Sequence, residues 1–213
     1  MINLKINDHQ VSVAEGTTVL DAAKKLGLNI PTLCNHKDLC VAGNCRVCVV
    51  EMVGARTLIA SCAMPASEGM EIYTNSLKVR NARKHIVELL LSEHRADCRK
   101  CYKNQNCELQ TLANEFPFGE HIFLDLAENR PYKIDRSSPS FIKDDSKCIR
   151  CQRCVRKCAE LQHVSAIAVA NKGGHQKISS FHDRPMSAVV CTNCGQCVNR
   201  CPTGALTEKT YID

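Results

Sequence analysis

Ile2, Leu4 and Ile6 alternate with polar residues, and after Asn7-Asp8 the alternation resumes at Val11 and Val13. A period of two puts each set on one face of a strand, so this stretch predicts a strand, a turn and a strand. Thr17 or Thr18 can cap a following helix whose apolar side holds Val19, Leu20, Ala23 and Leu26, and Gly27 ends it. Val47–Val53 is a further strand-like run. Two strands, a helix and another strand predict a compact α+β domain over residues 1–77. Between helix and strand, Pro31 to Cys48 is too long for a tight turn and holds four cysteines. An aperiodic loop of that length is normally functional or disordered.

The period changes after residue 77. Val79, Ala82, Ile86, Leu89 and Leu90 recur at helical spacing, and Leu109, Leu112 and Ala113 give a second short apolar face. Residues 78–140 read as a small helical domain whose last part, 115–140, with Pro117, Pro131, Pro139 and Ser137-Ser138, is a connector. Residues 141–213 contain a repeat. Cys148-Ile-Arg-Cys151-Gln-Arg-Cys154-Val-Arg-Lys-Cys158 returns 43 residues later as Cys191-Thr-Asn-Cys194-Gly-Gln-Cys197-Val-Asn-Arg-Cys201. Two copies are too few for a solenoid and are the right number for a pseudo-symmetric pair of loops.

Composition changes the picture at one residue type. Of 213 residues 16 are Cys, while aromatics make up 4% and Trp is absent. The first residues have no apolar signal core, and no run approaches the length of a membrane span. A cytoplasmic chain keeps its thiols reduced, so a disulfide scaffold is not expected and metal or redox chemistry is. The formal net charge of +6 comes without any Lys/Arg run of five. The densest basic stretch, Arg80 to Arg95, reads as a solvated helix face rather than a nucleic-acid groove.

The repeated C-x2-C-x2-C-x3-C is the four-iron ferredoxin run, in which three close thiolates hold one cubane and the fourth reaches the other. That assigns Cys148, Cys151, Cys154 and Cys201 to one 4Fe-4S cluster and Cys191, Cys194, Cys197 and Cys158 to a second. Pro202 follows Cys201, as is usual for such runs, but Ala159 follows Cys158. Structural zinc prefers separated C-x2-C knuckles closing one tetrahedron, a poorer fit to two identical runs of four. In the first domain Cys34, Cys45, Cys48 and Cys62 suit a 2Fe-2S cluster on a ferredoxin-like sheet, but Cys40-x4-Cys45-x2-Cys48 is also the plant-type spacing. One of Cys34 and Cys40 is then a plain thiol. A third set, His94, Cys98, Cys101 and Cys107, has ligands for a 4Fe-4S cluster, and by spacing alone for a zinc ion as well.

Pro31-Thr-Leu-Cys34, Cys45-Arg-Val-Cys48 and Gly54-Ala-Arg-Thr-Leu-Ile-Ala-Ser-Cys62, followed by the other motifs in order, resemble the N-terminal accessory region of iron-only hydrogenases. They are similar too to the start of the large iron–sulfur subunit of respiratory complex I, and to small electron-transfer subunits of NAD(P)-linked hydrogenases and formate dehydrogenases. The resemblance implies a β-grasp, plant-type ferredoxin domain, a small domain with a cluster on one His and three Cys, and a bacterial two-cluster ferredoxin-like domain. It favours Cys34 over Cys40 as the two-iron ligand. It also places the His-ligated cluster on His94, Cys98, Cys101 and Cys107.

In iron-only hydrogenases a catalytic domain follows this region, and nothing up to Asp213 supplies its cysteines. A G-x-G-x-x-G and a Walker loop are also missing, so no catalytic site and no nicotinamide or flavin site is expected in this chain. One 2Fe-2S and three 4Fe-4S clusters on these ligands carry about −7 in total, which brings +6 to about −1. The basic balance thus reads as compensation for anionic clusters. The expected function is an electron relay between a flavin subunit handling NAD(P)H and a hydrogenase or formate dehydrogenase subunit, a reading that extends to electron-bifurcating complexes. The rivals are an iron-only hydrogenase accessory domain without its catalytic part, and a zinc-binding interaction module.

Overall fold

A computed structural model describes residues 1–95, 97–116 and 132–209, and these divide into two compact units. The first comprises residues 1–35 and 41–87, the second residues 36–40 and 88–213. Of the connector expected at 115–140, residues 117–131 lie outside the described residues.

In the first unit β1 (Ile2–Ile6) and β2 (His9–Val13) pair antiparallel from Ile2 opposite Val13 to Ile6 opposite His9. Asn7 and Asp8 both take positive φ, 46° and 68°, the left-handed pair that a two-residue turn needs to match strand twist. Helix α1 (Val19–Lys25) starts where the Thr18 hydroxyl accepts the Asp21 N–H at 3.1 Å, and it carries Asp21 in its first turn and Lys24 and Lys25 in its last. β3 (Val49–Met52), β4 (Ile59–Ala60) and β5 (Glu71–Tyr73) complete a five-stranded sheet of order β2-β1-β5-β3-β4. Only β1 and β5 run parallel, at Lys5–Glu71 and Ile6–Ile72. Leu4, Ile6, Val13, Val50 and Ile72 of the sheet bury against Val19, Leu20, Ala22 and Ala23 of α1. Cys48 and Cys62 belong to this same core.

Helix α2 (Leu77–Ser92) buries Val79, Arg83 and Val87, at four-residue spacing, and leaves Leu89 46% exposed. The apolar face expected from Ile86, Leu89 and Leu90 is therefore displaced. Arg83, expected in a solvated basic face, turns inward and its Nη2 donates to the Val49 carbonyl at 2.8 Å. A strand carbonyl needs a donor when water is excluded, and a long guanidinium reaches it.

In the second unit a 3-10 turn at Cys98–Lys100 precedes α3 (Glu108–Asn114), β6 (Ile134–Asp135) and β7 (Phe141–Asp144). Then come α4 (Arg153–Arg156), running into a π-helical turn at Lys157–Leu161, β8 (Ile167–Ala170), β9 (Lys177–Ser180), α5 (Gln196–Asn199) and β10 (Leu206–Glu208). The strands form one sheet of order β10-β7-β6 and one β8-β9 hairpin, all antiparallel. Phe141, Ile167, Ile178, Met186, Val198 and Leu206 make the core, together with Cys154. Among the described residues no helix is long and apolar enough to cross a membrane.

Candidate metal centres

The two cysteine runs share a conformation through their first three cysteines and part at the fourth, where Cys158 sits in a π-helical turn and Cys201 lies outside helix and strand. Arg150 and Gln152 take positive φ (55° and 64°), and so do their counterparts Asn193 and Gly195 (52° and 69°). Helices α4 and α5 then begin and end 43 residues apart. Left-handed residues coil each run so that successive N–H groups and thiols face inward, the form of an anion-binding nest. The Arg150 N–H lies 3.4 Å from Cys148 Sγ and the Ala166 N–H 3.3 Å from Cys158 Sγ.

All eight cysteines, Cys148, Cys151, Cys154, Cys158, Cys191, Cys194, Cys197 and Cys201, line a single cavity with Phe141, Ile167, Ile178, Met186 and Leu206. It is partly open to solvent. Burial pushes the Cys148, Cys151 and Cys197 thiols up to about 12, and Cys154 is also raised well above the ordinary thiol value. A bare thiolate is disfavoured in such a place and a metal-bound one is not, because the cation supplies the missing charge. Eight soft donors around one enclosed apolar volume fit iron–sulfur clusters.

In the first unit Cys34, Cys48 and Cys62 are buried and Cys45 half-buried, with Cys34 beside Cys45 and Cys62. Cys48 Sγ and Cys62 Sγ are 3.3 Å apart. Hydrogen bonds from the Cys45 and Cys62 thiols hold Cys34 far below the thiol range, and the Cys62 thiol holds Cys48 down to about 6. The donors shift the other way: Cys34 raises Cys45, and Cys34 with Cys48 raises Cys62. Arg46, at φ 60°, turns the chain between Cys45 and Cys48. Backbone N–H groups of Cys45 and Asn44 also bond the Cys34 sulfur. The Cys40 thiol is exposed and instead donates to Glu160 Oε1 at 2.6 Å, while its N–H donates to Glu160 Oε2 at 2.9 Å.

His94, Cys98, Cys101 and Cys107 line a smaller cavity, also partly open. His94 is 9% exposed, and burial lowers its pKa, which favours the neutral imidazole that binds metals. Its ring bonds the Lys147 carbonyl, while Nδ1 is buried with no hydrogen-bond partner. One ring nitrogen on a backbone carbonyl and the other left over is how a ligating histidine is held, so this donor set fits a metal centre. Burial also raises Cys107 and Cys98. Among the described residues no three His, Cys, Asp or Glu side chains stand close enough to hold a single metal ion.

Sequence reasoning missed the partners of this third site. Gly204 forms part of its wall, and a Cβ added there would lie 2.6 Å from Cys101 Sγ. Glu108, beside Cys107, accepts two bonds from Arg153, at 2.6 and 2.8 Å. A glycine three residues past Cys201 is the one trace this leaves in the sequence, because a carbonyl such as that of Lys147 leaves none.

Family comparisons divide the chain in the same order. A family described as "2Fe-2S iron-sulfur cluster binding domain" matches residues 1–76. The "NADH-ubiquinone oxidoreductase-G iron-sulfur binding region" matches 83–121, and "NADH-quinone oxidoreductase subunit 3, ferredoxin-like domain" matches 138–207. The chain is 46% identical to the NADP-reducing hydrogenase subunit HndD of Solidesulfovibrio fructosivorans, over all of its own length and 37% of that protein. It is 38% identical to an NADH-quinone oxidoreductase subunit of Rhizobium meliloti (strain 1021), over 99% of its length and 24% of that protein. The chain thus spans well under half of these curated relatives. Among solved structures, a chain of an NAD+-reducing [NiFe]-hydrogenase in the H2-reduced state superposes with a TM-score of 0.89 at 29% identity, covering 98% of this chain and 87% of that one.

Proposed function

We propose that the chain is an iron–sulfur relay passing single electrons between a flavin subunit that handles NAD(P)H and a catalytic subunit of the hydrogenase or formate dehydrogenase type, in the cytoplasm. The observation that carries this reading is the duplicated loop with its eight thiols around one cavity. The similarity to subunits of NAD(P)-linked hydrogenases and of NADH-quinone oxidoreductases supports it.

In this reading residues 1–77 are a β-grasp ferredoxin domain with a 2Fe-2S cluster on Cys34, Cys45, Cys48 and Cys62. Residues 78–140 hold a 4Fe-4S cluster on His94, Cys98, Cys101 and Cys107. Residues 141–213 form a two-cluster ferredoxin domain, with one cluster on Cys148, Cys151, Cys154 and Cys201 and the other on Cys191, Cys194, Cys197 and Cys158. Such clusters take up and return one electron at a time. The chain's part is to hold them, keep water off them and aim backbone N–H groups at their sulfurs, which sets their potentials.

The test is an anaerobic redox titration of the loaded chain, followed by visible absorption and electron paramagnetic resonance. The expected result is broad absorption bleached by dithionite, with signals from one two-iron and three four-iron centres. A colourless protein carrying zinc overturns the reading.

A further inference from the structure

Five contacts tie the His94 site to segments that flank the proposed ligands of one paired cluster. The His94 ring bonds the Lys147 carbonyl, and the Arg95 N–H donates to Ser146 O at 3.0 Å. The Glu108 N–H donates to Pro202 O at 3.0 Å, and its carboxylate grips Arg153. Cys101 Sγ lies 2.6 Å from where a Cβ on residue 204 would be, too close for both. Each partner lies within three positions of Cys148, Cys151, Cys154 or Cys201. The Thr203 hydroxyl donates to the Lys147 carbonyl at 2.8 Å, joining the two partner segments to each other.

Of the five partners, Ser146 and Lys147 sit in a 3-10 turn and Arg153 opens α4, whereas Pro202 and Gly204 lie outside regular structure, as do the ligand-bearing stretches beside them. Cys148 to Gln152 and Cys201 to Gly204 lie outside helix and strand. Segments of that kind are ordered by the metal they ligate, because the free energy of binding is also free energy of local folding. The His94 site depends on both segments for the orientation of its imidazole and the seat of Cys101.

We infer that Gly204 and Lys147 are positioning residues for the His94 site, and that this site loads iron only after the site of Cys148, Cys151, Cys154 and Cys201 is filled. The inference rests on the iron–sulfur reading above. The two segments carry Cys148, Cys151 and Cys201 and no ligand of the His94 site, so filling the paired site orders them directly. Gly204→Ala acts on a narrow point: the nearest atom to the new Cβ is a sulfur at the end of a short side chain. That sulfur can swing aside at little cost to the fold, but it then leaves its ligand position.

The test uses the full chain in anaerobic reconstitution, with iron analysis and the paramagnetic signal of each cluster. In stepwise loading, the signals of the paired clusters should appear before that of the His-ligated cluster. Cys98→Ala should lose about four of about 14 iron atoms, and Cys148→Ala with Cys151→Ala about eight. Gly204→Ala should lose only the His-ligated signal, with its circular dichroism and the other signals unchanged. A His-ligated cluster that forms first, or persists in the Cys148/Cys151 variant, overturns the order of loading. An intact His-ligated signal at an unchanged potential in Gly204→Ala overturns the positioning role. A Cys98→Ala chain that loses zinc and no iron instead overturns the reading on which the inference rests.

Discussion

Glu108 and Arg153 form a two-pronged ion pair at 2.6 and 2.8 Å, between a residue next to Cys107 and a residue next to Cys154. The Arg153 side chain is 5% exposed and that of Glu108 48%. Glu108→Ala would take this carboxylate away from a buried guanidinium. Solvent reaches half of the pair, so the expected loss is about 1–2 kcal/mol, well below that of a fully buried pair. The denaturation midpoint of the loaded chain should fall with its slope unchanged. An unshifted midpoint would show that water replaces the carboxylate.

Iron content separates the centres from zinc sites. Fully loaded protein should approach about 14 iron atoms per chain, held by fifteen cysteines and His94, with negligible zinc. A plateau near about ten iron atoms with one zinc would identify the His94 site as a zinc site.

Cys34 and Cys40 differ in their surroundings. Cys34 is buried among three other thiols, whereas the Cys40 thiol rests on Glu160. Cys40→Ser should keep the two-iron paramagnetic signal, and Cys34→Ser should abolish or shift it. The reverse outcome would move the ligand to Cys40.

In the proposed site His94 would offer a neutral donor where its three companions would offer thiolates. A cluster with one imidazole is less negative by about one charge and easier to reduce. His94→Cys should therefore retain a four-iron cluster at a lower potential, measured by redox titration beside the parent protein. An intact cluster at an unchanged potential in His94→Ala would remove His94 from the ligand set.

The parts legible in the sequence were those governed by near neighbours. The Asn7-Asp8 turn, the Thr18 cap and the repeated run each depend on residues within a few positions, so spacing alone exposes them. Parallel pairing of β1 with β5 joins residues more than sixty positions apart, and no local period signals it. Arg83 was misplaced because the helical period counts apolar letters, while this arginine is drawn inward by a carbonyl on another element. The loop thiols Cys34 and Cys40 could not be separated by spacing, since the partner that distinguishes Cys40 is Glu160, far along the chain. Gly204 escaped notice for the same reason: its meaning lies in Cys101, brought beside it only by the fold.

Phe141, Ile167, Ile178, Met186 and Leu206 turn toward the same volume as the eight thiols. These side chains pack on one another as a core. With the proposed clusters in place they would also face mineral, the inorganic sulfide standing in for part of the greasy centre that so short a stretch of chain cannot assemble from its own carbon. On that reading air would act as a denaturant for this half of the protein: oxygen that dismantles the clusters would also take away part of the interior its walls enclose.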